Sequence, residues 1–202
     1  MALVLGITGG IATGKSTVLG MLARLGALTL SADEIAREVL ARNRPAYREV
    51  VERFGPRMVD PGGEIARSAL AELIFDDREA REELNRITHP HIIRSMKAHI
   101  DRFRANPPHP SAVLAVEIPL LFECGLDEMV DQVLLVAAEQ EAQVGRLTSR
   151  SGVTREEALR RIGSQMPIEA KVERADRVIW NDGSMEELEQ KVISFWREMC
   201  SG

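Results

Sequence analysis

The sequence predicts an α/β fold of three layers, with a five-stranded parallel sheet between helices. Three observations carry this expectation. Five short apolar runs alternate with stretches of helical periodicity. A glycine-rich loop joins the first run to the first helix. Two helical blocks interrupt the alternation without ending it, so they read as inserts on one domain.

The first run, Leu3–Thr8, is apolar throughout, as a strand buried on both faces must be. Residues 9–16, Gly9-Gly10-Ile11-Ala12-Thr13-Gly14-Lys15-Ser16, fit the spacing G-x-x-x-x-G-K-[ST]. After them Val18, Leu19, Met21, Leu22 and Leu25 recur at helical intervals, so the loop sits between strand and helix, the setting its chemistry requires. The second strand is expected over Ala27–Ser31, followed by a helix over Ile35–Leu40. Four helical patterns come next: Pro45–Phe54, Ala66–Phe75, Asp77–Thr88 and Pro90–Phe103, with a turn at Asp60-Pro61-Gly62-Gly63. The third and fourth strands are expected over Ala112–Ile118 and Gln132–Ala137. A helical pair, Glu139–Arg150 and Thr154–Gln165, follows, its second member opened by the capping box Thr154-x-x-Glu157. The fifth strand, Arg177–Trp180, and a helix over Met185–Met199 close the chain. The expected layout is one domain, 1–202: a core of 1–32, 111–138 and 170–202, a helical acceptor-binding insert over 33–110, and a helical lid over 139–169.

Composition narrows the class. The chain has 202 residues, 45% apolar and 28% charged, with a net charge of −5. That acidity speaks against a binder dominated by nucleic-acid phosphates. No apolar run reaches the ~18 residues of a membrane span. Cys124 and Cys200 lack metal-ligand spacing. A cytoplasmic enzyme without nucleic-acid or membrane partners, monomeric or weakly homo-oligomeric, is the expectation.

The loop predicts binding of ATP or GTP. Gly10, Ile11, Ala12, Thr13, Gly14, Lys15, Ser16 and Thr17 would wrap the phosphates with backbone N–H groups at a helix N-terminus. Lys15 would reach the β- and γ-phosphates, and the Ser16 hydroxyl would ligate Mg²⁺. Asp33, just beyond the second strand, is either the carboxylate that activates an acceptor hydroxyl or the N-cap of the helix after it. Glu34 reads as a first-turn acid. Glu117 is either an acid near the metal or a structural carboxylate. Arg146 and Arg150 share one helix face and either neutralise the transferring phosphate or pair with solvent-side acids. His89 and His91 bracket Pro90; with no third ligand, acceptor recognition or a structural bond suits them better than a metal. His99 and His109 read as surface residues, and Trp180 and Trp196 as core. A guanine-reading Asn-Lys-x-Asp motif, needed by a GTP-driven switch, is absent from the sequence. A kinase for another small alcohol or a nucleoside monophosphate would share all these parts.

An ordered series of motifs makes the chain resemble the dephospho-coenzyme A kinases. The series is Gly6-Ile7-Thr8 with the loop and Thr17, then Ala32-Asp33, Phe54-Gly55, Arg67 with Leu70 and Phe75, and Leu84-Asn85-Arg86-Ile87-Thr88-His89-Pro90. It continues with Pro119-Leu120-Leu121-Phe122-Glu123, Gln143-x-x-Arg146-Leu147-x-x-Arg150, Gln165 and Ala175-Asp176-x-Val178-Ile179-x-Asn181. The resemblance implies a P-loop NTPase fold similar to nucleoside monophosphate kinases. It implies transfer from ATP, with Mg²⁺, to the ribose 3′-hydroxyl of dephospho-CoA. By that likeness Asp33 is the base and Lys15 and Arg146 are catalytic, with Arg146 on the lid. Asn181 lies near the adenine, and Arg67, Asn85, His89 and His91 line the acceptor site. The chain departs from the family pattern at Ser31, where many members carry Asp, and at Ala12-Thr13, where Gly-Ser is usual. Alanine at position 12 is expected to avoid positive φ.

Overall fold

Five parallel strands form one sheet in the order β2-β3-β1-β4-β5 in the computed structural model. It describes residues 2–201, with the side chains of 67, 71, 74–76 and 201 outside that description. The strands are β1 (Leu3–Thr8), β2 (Leu28–Ser31), β3 (Val113–Glu117), β4 (Gln132–Ala137) and β5 (Arg177–Trp180). Three match the expected bounds, and β2 and β3 are trimmed at their ends. The central strands are the ones buried along their length, whereas β2 and β5 are four-residue edges. Register brings the carboxyl ends of β2, β3 and β1 level: Ser31 lies opposite Glu117, and Glu117 opposite Ile7. Ligands of open parallel sheets bind at that rim.

The chain divides into two compact units, 1–31 with 102–202, and 32–101. The first holds the sheet, with helices α1 (Lys15–Arg24) and α9 (Met185–Ser201) packed through Val18, Leu22, Leu188 and Val192 against Leu5, Ile7, Leu134 and Val136. Ser184 caps α9: its hydroxyl accepts from the Glu187 N–H, and its own N–H donates to Glu187. The predicted helical pair is α6 (Gln140–Ser151) and α7 (Arg155–Gly163), and the Thr154 hydroxyl caps α7 by accepting from the Glu157 N–H at 3.2 Å. Val144, Leu147 and Ala158 knit the two helices together, and Ile11 and Ala12 of the glycine loop pack into the same cluster. An unforeseen helix, α8 (Ile168–Arg174), intervenes before β5.

The second unit is helical: α2 (Ala32–Val39), α3 (Pro45–Phe54), α4 (Arg67–Asp76) and, through Asp101, α5 (Arg78–Ala105). Its core gathers Val50, Met58, Ile65, Leu70 and Leu84. Two expectations are corrected here. The break expected at Pro90 is missing, and α5 runs straight through it. Pro90 removes one helical hydrogen bond, a cost of about 3 kcal/mol or more in an unsupported helix. Both Pro90 and Arg86, whose carbonyl loses its donor, lie on the exposed side, where water can take the bond. Buried Leu84 and Thr88 before it, and Met96 and Ile100 after it, hold the flanking turns. Trp180 is not core but 38% exposed, because at the end of edge strand β5 it points to the opposite sheet face from buried Ile179; Lys191 Nζ donates to its carbonyl at 2.7 Å. Among the described residues no helix is long and apolar enough to cross a membrane.

Candidate active site

The glycine loop owes its shape to what its carbonyls do. Lys15 Nζ donates to the Gly9 and Gly10 oxygens at 3.1 and 2.8 Å. Thr13, wholly buried, donates its hydroxyl to Gly10 O at 3.0 Å. Arg146 donates to Ala12 O at 3.3 Å, and Asn181 Nδ2 to Thr13 O at 2.8 Å. Carbonyl and N–H point in opposite directions across a trans peptide. Drawing the Thr13 carbonyl toward Asn181 therefore turns the Gly14 N–H to the opposite, concave side, while the Thr13 N–H closes the turn on Gly10 O at 3.5 Å. Alternating backbone hand makes such a concavity: Gly14 has φ 99° and Ala12 φ 59°.

Ala12 thus corrects the expectation of negative φ. The left-handed region costs an alanine roughly 1–2 kcal/mol, and what offsets it is the packing of its methyl against the cluster of Val144, Leu147 and Ala158. Ala12→Gly is accordingly expected to change stability by less than about 1 kcal/mol, since glycine relieves the strain but loses the methyl contact and adds chain entropy. Ala12→Val should cost about 2 kcal/mol, because β-branching tolerates positive φ poorly. Urea melts of the two variants check both signs.

Arg146 reaches a second carbonyl, Asn181 O, at 2.6 Å, so its guanidinium ties the loop to the end of β5. Asn181, 8% exposed, presses so closely on the loop that a Cβ on Gly14 would stand 2.4 Å from its Nδ2. Arg150 is exposed. Ser16 is exposed in the first turn of α1 and Thr17 half-buried after it. No group of three His, Cys, Asp or Glu that could hold a metal occurs among the described residues. A hydroxyl at this position suits a hard ion that takes its remaining oxygens from phosphates and water. Gln143 and Gln165 also touch the loop, and residue spacing near the loop offered no signal for them; only the family motifs contain them.

Asp33 is an exposed carboxylate in the first turn of α2, which starts at Ala32, so the N-cap alternative does not hold. It opens onto a cavity of about 640 Å³ within the helical unit, walled by Leu40, Ile65 and Leu70 with Arg37 and Glu64 at its polar side. Arg37 and Glu64 were not singled out by sequence. Asn85 and His89 stand one turn apart on α5, whereas His91 points elsewhere and bonds Glu49 on α3 at 2.9 Å. None of these three lines the cavity. The side chain of Arg67 lies outside the described residues. His99 pairs with Glu38 at 3.5 Å, and His109 contacts Ser111.

Comparison with known proteins extends this geometry. A family model described as dephospho-CoA kinase matches residues 3–187. A dephospho-CoA kinase of Moorella thermoacetica is 45% identical over 197 residues, covering 97% of this chain and 92% of its own. The solved dephospho-CoA kinase of Campylobacter jejuni superposes with a TM-score of 0.73 at 29% identity, covering 100% of this chain and 99% of that one. A shikimate kinase of Acinetobacter baumannii, 17% identical with 98% and 94% covered, shares the fold at a TM-score of 0.54.

Proposed function

Because the chain belongs to the dephospho-CoA kinase family, ATP-dependent enzymes of the last step of coenzyme A synthesis, we propose how its own residues divide that transfer. Lys15 and the N–H groups of Gly14, Lys15, Ser16 and Thr17 hold the triphosphate of ATP, the turn from Gly10 to Thr13 frames them, and Asn181 lies toward its adenine. Asp33 orients the ribose 3′-hydroxyl of dephospho-CoA and takes its proton as the oxygen bonds the γ-phosphorus. The bond between that phosphorus and the β–γ bridging oxygen breaks, and ADP leaves. Charge spreads over the transferring oxygens, and Arg146 and Lys15 neutralise it. Arg146 has five N–H donors, of which the loop and Asn181 carbonyls use two. Ser16 would hold Mg²⁺, which when bound neutralises the β- and γ-phosphates. The cavity at Asp33, with its apolar wall, suits part of the long acceptor; Arg67, Asn85, His89 and His91 are proposed as further contacts to it.

The observation that carries this reading is the capture of the loop's carbonyls by Lys15, Thr13, Arg146 and Asn181, which presents N–H groups to an anion. Incubating the chain with ATP, Mg²⁺ and dephospho-CoA, and weighing the acceptor by mass spectrometry, tests it: one phosphate is gained, and EDTA stops the gain. Ser16→Ala is expected to raise the Mg²⁺ concentration for half-maximal rate by about tenfold. An unchanged requirement removes Ser16 as the ligand.

A further inference from the structure

Gly10 and Ile11 are gripped by residues far along the chain. The Ile11 N–H donates to Gln165 Oε1 at 2.8 Å, while the Ile11 side chain is packed into the cluster between α6 and α7. A Cβ on Gly10 would stand 2.9 Å from Gln143 Nε2 and 3.7 Å from Gln165 Oε1, so two amide side chains abut the backbone here. Gln165 precedes Met166, whose N–H donates to Glu123 Oε1 at 3.2 Å. The same oxygen lies 2.7 Å from Nζ of Lys171, whose side chain has 0% exposure. This is an ion pair at hydrogen-bonding distance, although its angle is poor. Burial pushes the Glu123 carboxyl up, yet the Lys171 ammonium and the N–H groups of Glu123 and Met166 outweigh that and hold it below its ordinary value. Glu123 is therefore the charged partner that Lys171 requires.

An ammonium wholly removed from water adds little net stability, because desolvation consumes most of the attraction. What such a pair can supply is a fixed position. We propose that Gln165 is a positioning residue for the kinase, clamping the Ile11 amide so that the loop keeps one shape for the triphosphate, and that the Lys171–Glu123 pair sets Gln165 in place through Met166. The proposal rests on the loop holding nucleotide phosphates, as argued above. A loop already fixed at Ile11 loses less freedom on taking its ligand, so the benefit falls on ATP affinity.

Gln165→Met keeps the side-chain length and removes the acceptor oxygen. In the folded full-length enzyme the KM for MgATP is expected to rise about five- to tenfold, the range of one lost hydrogen bond. The KM for dephospho-CoA and kcat should stay within about twofold, and the Ile11 amide should exchange faster with solvent. Lys171→Met should raise the ATP KM in the same way. Adding Glu123→Gln should restore it, since an amide oxygen still accepts from Met166 and no buried charge is left unpaired. If Lys171→Met does not fold, the double variant decides: a near-normal ATP KM supports the proposal, and a raised one in folded protein overturns the role of the pair. A Gln165→Met enzyme with unchanged ATP KM and unchanged Ile11 exchange overturns the clamp. Should the unaltered chain fail to phosphorylate dephospho-CoA at all, the reading of the loop fails instead, and Ile11 exchange still tests the clamp.

Discussion

Asp33→Asn is expected to lower kcat for dephospho-CoA by about 10²-fold or more while leaving the KM for ATP within about twofold. Asparagine keeps the shape of the side chain and can still accept a hydrogen bond, but it cannot take a proton at neutral pH. The separation of the two constants is the informative part, because Asp33 opens onto the cavity of the helical unit, proposed above for the acceptor. Loss of its charge from the first turn of α2 should cost only about 0.3–1 kcal/mol through the helix dipole. A thermal melt therefore guards against mistaking instability for lost chemistry. If kcat survives within about threefold, Asp33 is not the base.

Gly9→Ala is the substitution with the largest expected effect on stability. A Cβ there would lie 2.1 Å from the Val136 carbonyl oxygen and 2.9 Å from Thr13 Oγ1, at φ 154°. The obstacle is main chain in the central strand β4, so no side-chain rotation relieves it. Strained backbone and overpacking, each about 1–3 kcal/mol, together predict a loss of about 3 kcal/mol or more. Gly20→Ala provides the opposite sign from the same region. It lies within α1, its Cβ would meet nothing within 4 Å, and about 0.5–1 kcal/mol should be gained. Denaturant midpoints of the two variants should therefore move apart; equal shifts would contradict the packing at Gly9.

Much of the architecture could be read from residue order because the signals are local. Leu3–Thr8 and Gln132–Ala137 are unbroken apolar runs, and both strands have the expected bounds. The glycine loop declares itself within eight residues. What could not be read depends on partners distant in sequence. Ala12 sits at positive φ where its methyl packs against the cluster between α6 and α7, far along the chain. Pro90 fails to break its helix because buried residues hold the turns on either side of an exposed carbonyl. The seven residues of α8 are too few and too polar to show periodicity. Trp180 looks like core until its place on an edge strand is known. Gln165 and Asn181 meet the loop across sequence separations of 154 and 168 residues, and no spacing rule relates them to it.

The sheet's two outer margins bear on how readily another chain could pair with it. Each offers only four residues of strand, about two rungs for an intruding chain to zip onto. On the β5 margin, the outward Trp180 carbonyl is already taken by the Lys191 ammonium. A stray strand arriving there would have to evict a cation before forming its first rung, which guards against runaway polymerisation where the exposed indole would otherwise invite it.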